Sequence, residues 1–247
     1  MTVRSQPRGN SRKKWIIAAI VAAVGIPVAG FAAVYALFFT GDSPAPLALS
    51  TSTATVNPNG TAAPSGSLAG EWTVADGSIA GYRVREQLAN LPAQSDAVGR
   101  TSDVTGSATL AETGGNLVVQ AAAFEVDVTT LASDESRRDR RIKTDGLESD
   151  TYPKATFSST APITVPAGAT SGAAVNIDIS GDLTIHGVTK NVTIPTQARL
   201  NGSQIELVGS ITFPFSDFGM TPPSVGGFVE VEDDATMEFS LFLTKAG

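Results

Sequence analysis

The chain has 247 residues, no cysteine and a single histidine, and only 17% of its residues are charged. Without cysteine there is no disulfide, thiolate nucleophile, zinc–cysteine site, iron–sulfur cluster or lipid anchor on cysteine. The net charge of −7 is unevenly placed: five basic residues and no acid precede Trp15, whereas 23 acids face 12 bases from Glu71 onward, which argues against nucleic acid as a partner.

Residues 1–14 read as a basic cytoplasmic tail carrying Arg4, Arg8, Arg12, Lys13 and Lys14. Residues 15–39 follow with 25 positions and no charge. As a helix this run would span roughly 37 Å, enough to cross a bilayer with some tilt. The basic residues before it place the N-terminus inside the cell and all that follows outside. The alternative is a cleaved signal peptide, whose apolar region is shorter, about 7–15 residues. Residues 40–70 are mostly Pro, Ser, Thr, Ala and Gly with one charge and no aromatic, which reads as a flexible tether. The expected localisation is therefore a single-pass membrane protein with its domain, residues 71–247, outside the cytoplasm.

Within that domain a period of two dominates. Phe124, Val126 and Val128 alternate with Glu125, Asp127 and Thr129. Val175, Ile177, Ile179, Leu183 and Ile185 alternate with polar residues. Ile205, Leu207, Ile211, Phe213 and Phe215 share a face, as do Met237, Phe239, Leu241 and Leu243. Such alternation argues for half-buried antiparallel strands. Turn signals separate the runs, at Glu112–Asn116 (ETGGN) and at Asn201–Ser203 (NGS). About eight strands are expected, in a closed up-and-down barrel or a sandwich; periodicity alone does not choose. The segment from Ser133 to Pro153 breaks the pattern. Ser133 or Asp134 suits the cap of a short helix that Gly146 would end. It carries the domain's one basic concentration: Arg137, Arg138, Arg140, Arg141 and Lys143. These arginines either pair with Glu135, Asp139 and Asp145 along the helix or form an anion clamp at a cavity mouth.

His186 lies between two apolar runs, in GDLTIHGVTKNVTI. With no second histidine and no nucleophile motif, neither a metal site nor a catalytic triad is indicated. A solvent-facing or turn-packing histidine is the expectation. An enzymatic role would rest only on His186 with carboxylates such as Asp182, which falls short of a catalytic site. No catalytic residue, metal or cofactor is therefore assigned.

The stretch Ser180–Pro195 resembles the signature of the YceI-like, polyisoprenoid-binding proteins, with Leu183, Thr184, His186, Gly187, Thr189 and Lys190 in the places of its Leu-Thr-x-His-Gly-x-Thr-Lys motif. Arg138, Asp139, Ile142, Lys143, Thr144, then Tyr152, Pro153, Ala155, Thr156 and Phe157 are similar to an upstream family segment, and FPFSDFGM from Phe213 to a late strand and loop. Two departures stand out: Arg141 where many members carry histidine, and Asp145-Gly146-Leu147 in place of an aromatic pair. The resemblance covers about residues 71–245. It implies an all-β, eight-stranded antiparallel, lipocalin-like barrel with a short helical insertion, holding a long amphiphile such as an isoprenoid lipid. Phe124, Val126, Ile177, Ile179, Phe213, Phe215, Phe239 and Leu241 would then line the interior. Arg137, Arg138, Arg141 and Lys143 would clamp a headgroup. The motif residues Leu183, Thr184, His186, Gly187, Thr189, Lys190, Tyr152 and Pro153 would be structural. The alternative is a filled barrel serving as a structural or protein-interaction domain, with the arginine segment or the acidic Glu230–Asp234 stretch meeting a partner.

Overall fold

The alternating runs become strands because each can bury one face and solvate the other. The structure, a computed structural model, describes residues 43–50, 67–88, 94–223 and 229–247. Among these, eleven strands form one antiparallel sheet: β1 Gly70–Val74, β2 Ile79–Leu88, β3 Gln94–Thr101, β4 Val104–Thr113, β5 Asn116–Asp127, β6 Lys154–Ser159, β7 Ile163–Thr164, β8 Val175–Ile185, β9 Val188–Asn201, β10 Gln204–Pro214 and β11 Val229–Lys245. The sheet closes on itself. β1 pairs with β4 on one side and with the end of β11 on the other, so Trp72 faces both Ala108 and Lys245. The ring β1-β4-β5-β6-β8-β9-β10-β11 has eight strands, which settles the choice in favour of a barrel. The β2–β3 hairpin extends the wall beyond β1, and a bridge from Arg100 to Ala132 seals its free side.

Two of the expected turns are two-residue loops. Gly114 and Gly115 join β4 to β5, both with positive φ, and Gly202-Ser203 joins β9 to β10. β5 carries one extra residue at Gln120, where the pairing steps from Thr109↔Ala121 to Leu110↔Val119. The bulge changes the parity of the strand, so Leu117 and Val119 before it and Ala122, Phe124 and Val126 after it all point inward.

One end of the barrel, here the upper, is closed by the segment between β5 and β6. It contains helix α1, Ser136–Arg141, which runs into a wide turn over Ile142–Gly146. The helix begins one or two residues later than a cap at Asp134 or Ser133 would place it. Glu135 caps it by accepting from the Arg137 N–H, while Ser133 donates through its own N–H and hydroxyl to Asp139. Gly146 ends the wide turn as expected. The lower end is closed by β7 and a 3-10 turn at Ala167–Ser171.

The tail and the expected membrane helix, residues 1–39, lie outside the described residues. Among the described residues no helix is long and apolar enough to cross a membrane. Of the stretch read as a flexible tether, residues 43–50 and 67–70 are described. Residues 43–50 lie against the outer barrel wall, because arginines there take up their backbone carbonyls. Arg83 donates to the Pro44 carbonyl at 2.7 Å, Arg100 to the Ala45 carbonyl at 2.6 Å, and Arg199 to the Ser50 carbonyl. Beneath this strap two outward-facing glutamates are buried and paired, Glu238 with Arg100 at 2.7 Å and Glu206 with Arg199 at 2.6 Å.

Candidate functional site

The barrel axis is not completely filled. An upper cavity of about 150 Å³ lies beneath the α1 segment, and a lower one of about 80 Å³ lies above the 3-10 turn. Their walls are almost wholly carbon. Phe124, Val126, Ile179, Phe213, Phe215, Phe239 and Leu241 line the upper cavity, and Phe124, Ile177 and Ile179 the lower. The alternating pattern thus points every one of these side chains to the interior. Phe124, Ile179 and Leu207 belong to both walls. Ordinary ligand pockets hold about 300–1,000 Å³, so these cavities as they stand take only a small apolar group. A dry cavity near 150 Å³ is the size that admits benzene in a well-studied case.

Ile142, Gly146 and Leu147 bring the lid segment into the upper cavity wall. What fixes the lid is an ion pair. Glu86 follows Ala80, Tyr82 and Val84 on the inward face of β2, and at the upper rim it meets Arg138 of α1. Arg138 donates through Nε and Nη2 to the two Glu86 oxygens, each at 3.2 Å, and through Nη1 to Asp134 at 2.5 Å. Burial pushes the Glu86 carboxyl above its ordinary range, and the facing guanidinium offsets part of this. Burial also raises the Tyr82 phenol well above its usual value, with the Asp139 carboxylate adding to the effect.

This geometry corrects the reading of Arg138 as a headgroup clamp. Its guanidinium is buried and bound on three sides, so it fastens the lid to the barrel. The other proposed clamp residues do not converge on the cavity. Arg137 and Arg141 are exposed and Lys143 half-buried, and none of them lines either cavity. Arg141 lies 3.5 Å from Asp145, one helical turn on.

The histidine motif forms a tight turn. His186 and Gly187 link β8 to β9 with φ of 52° and 71°, the mirror-image turn that suits a two-residue hairpin. In that turn the strand's parity no longer applies, and the imidazole folds back over the barrel rim. It packs against Tyr152 with centroids 4.5 Å apart and the ring planes tilted by 59°, and its Nδ1 lies 3.3 Å from the Phe218 carbonyl. Nε2 is 3.7 Å from Glu148, another residue with positive φ. A Cβ on Gly187 would come within 2.6 Å of the Tyr152 ring, so that position must be glycine on two counts. Thr184 and Thr189 share a cross-strand hydrogen bond of 2.8 Å, and Lys190 reaches Asp217 at 3.8 Å. The Pro153 carbonyl accepts from the Val128 N–H. Leu183 is a motif residue that also lines the upper cavity, under the Phe157 ring's side of the wall. Gly181 beside it leaves room for that ring, since a Cβ there would lie 2.3 Å from Phe157 Cζ.

Sequence reasoning missed Tyr82 and Glu86, although Ala80-Tyr82-Val84-Glu86 carries the same alternation as the other strands. It also missed Leu147 and Met220 in the upper wall, where no periodic signal exists. Among the described residues no cluster of His, Asp and Glu is arranged to hold a metal ion.

Residues 72–243 match the family model of the YceI-like domain. A UPF0312 protein of Vibrio parahaemolyticus is 31% identical over 114 residues, 43% of this chain and 57% of the relative. A UPF0312 protein of Pseudomonas putida is 35% identical over 115 residues, 42% of this chain and 55% of the relative. The chain thus spans little more than half the length of these relatives. Among solved structures, a polyisoprenoid binding domain from Saccharophagus degradans, implicated in plant cell wall breakdown, superposes with a TM-score of 0.53. It is 16% identical and covers 72% of this chain and 99% of its own, a likeness that bears on the fold alone.

Proposed function

Since the chain belongs to the YceI-like domain family, we propose that its barrel binds the apolar chain of an isoprenoid or similar long amphiphilic lipid. The observation that carries this reading is the pair of carbon-walled cavities on the axis of a closed barrel. Each buried methylene contributes about 0.8 kcal/mol, so such an interior needs few polar contacts to hold a chain. A long chain requires the interior side chains to move, because the resting cavities are small. The protein is a carrier or binding protein rather than an enzyme. The uncharged run 15–39, with basic residues before it, supports a membrane-anchored protein whose barrel lies outside the cytoplasm. Arg137, Arg141 and Lys143, on the lid segment, are the cations suited to a lipid's anionic head.

The small cavity volume favours a second reading, in which the barrel is filled and the domain meets a protein partner. Native mass spectrometry of the full chain, released from detergent, separates the two. A co-purifying lipid, or uptake of added farnesol or geranylgeraniol, supports the carrier. A bare mass under both conditions leaves the filled barrel. For the headgroup, Arg137→Glu combined with Lys143→Glu is expected to weaken farnesyl diphosphate about tenfold and farnesol hardly at all.

A further inference from the structure

The two cavities lie end to end in one barrel, and the same three side chains stand between them. Phe124 comes from β5, Ile179 from β8 and Leu207 from β10, so the constriction is closed from three separate strands. Each points inward, yet each is only half-buried. Side chains of this kind inside a sealed core are ordinarily covered on all sides; these border empty space. Phe124 packs against the hydrophobic clusters above, below and beside it. Its ring is the largest group at this waist. The bulge at Gln120 lies four residues upstream and sets the parity that turns the ring inward.

We infer that this waist is a chain-length selector and that Phe124 is its determining residue. This rests on the reading that the barrel binds an apolar chain. A chain held under the lid fills the upper cavity and then meets the Phe124 ring. Up to that depth each isoprene unit leaves water and adds to affinity. Beyond it a further unit gains nothing unless the ring turns aside. Replacing the ring with a methyl group joins the cavities, and the lower one, bounded by Ala122, Ile177 and Leu200, then takes up the end of the chain.

The test uses the full chain in detergent micelles and three probes of two, three and four isoprene units: geraniol, farnesol and geranylgeraniol. Native mass spectrometry reads the bound fraction at a fixed ratio of alcohol to detergent. In the natural chain the affinity relative to the detergent phase should hold up to the length that fills the upper cavity and fall beyond it, because a further unit leaves the micelle with no space to enter. In Phe124→Ala the fall should come at least one isoprene unit later, because the opened lower cavity takes up the end of the chain. Leu207→Ala, which opens the waist from another strand, should act in the same direction, and Ala122→Leu added to Phe124→Ala should restore the early fall. If the natural chain and both opened variants bind with the same length profile, the selector is wrong while the lipid-binding reading stands. If no alcohol enters any of them, although their thermal melting is cooperative, the lipid-binding reading fails and the selector with it. The profile against length, rather than overall affinity, is the readout, because a general loss of stability would weaken all three probes alike.

Discussion

The Arg138 guanidinium lies 3.2 Å from each carboxylate oxygen of Glu86, with the two side chains only 7% and 6% exposed. The pair joins the lid helix to β2, far away in sequence, at the rim of a carbon-walled interior. A buried pair of this kind adds little net stability, but removing one partner strands the other. Arg138→Met is therefore expected to cost about 3–5 kcal/mol at neutral pH, measured by urea denaturation. A cost below about 1 kcal/mol would show that the lid is held by something else.

The same pair carries a pH signature. Glu86 titrates in the folded chain above its ordinary value of 4.5. Between those two values the folded state retains a proton that the unfolded state has released. The contribution of this group to stability therefore falls as pH rises through that window. Glu86→Gln keeps an oxygen for Arg138 but cannot ionise. Denaturation of both proteins from about pH 4.5 upward should show the natural chain losing stability relative to the variant, and the opposite trend would refute the assignment.

His186 is predicted to matter for the turn and not for chemistry. Its φ of 52° suits asparagine and strains a β-branched residue. His186→Val should lose about 2 kcal/mol, and His186→Asn less than about 1 kcal/mol, with prenyl alcohol uptake unchanged in both. Equal stability of the two variants in urea would mean that the turn imposes no such demand.

The strap can be loosened without touching the interior. The Ser50 N–H and hydroxyl both donate to Glu206, a fully buried carboxylate on the outer wall. Glu206→Gln replaces charge-assisted bonds with neutral ones about half as strong. Hydrogen exchange at the Ser50 amide should quicken about tenfold, while the Leu207 amide, within the ladder between β10 and its neighbours, keeps its protection. An unchanged Ser50 rate would indicate that the arginine bonds to the Pro44, Ala45 and Ser50 carbonyls hold the segment without Glu206.

The sequence made the inward face readable because alternation is a property of the backbone. Phe213, Phe239 and Leu241 point inward for the same reason that Ser210, Glu238 and Ser240 point outward. The His186-Gly187 turn was readable too, since Gly187 between two strand-like runs demands a reversal. Three features were not. Glu86 sits on an apolar face with a charge that parity alone treats as an anomaly, and its meaning appears only when Arg138 stands opposite. Residues 43–50 have a composition typical of a linker, and what holds them is three arginines that the fold brings to one wall. The waist has no pattern at all, because Phe124, Ile179 and Leu207 meet only once three strands are in register.

The double pairing of β1 bears on how the protein is made. Trp72 is flanked by Ala108 from early in the domain and by Lys245 from its last strand. Proteins dominated by such distant pairings fold slowly, because the entropy of closing a long loop is lost before the contacts that compensate for it form. Until β11 has emerged, β1 presents an unpaired edge and Trp72 lacks half its shelter. An unclosed sheet with exposed edges and aromatic side chains is a template for aggregation. The seam between β1 and β11 is thus the step that ends the domain's exposure to pairing with other chains.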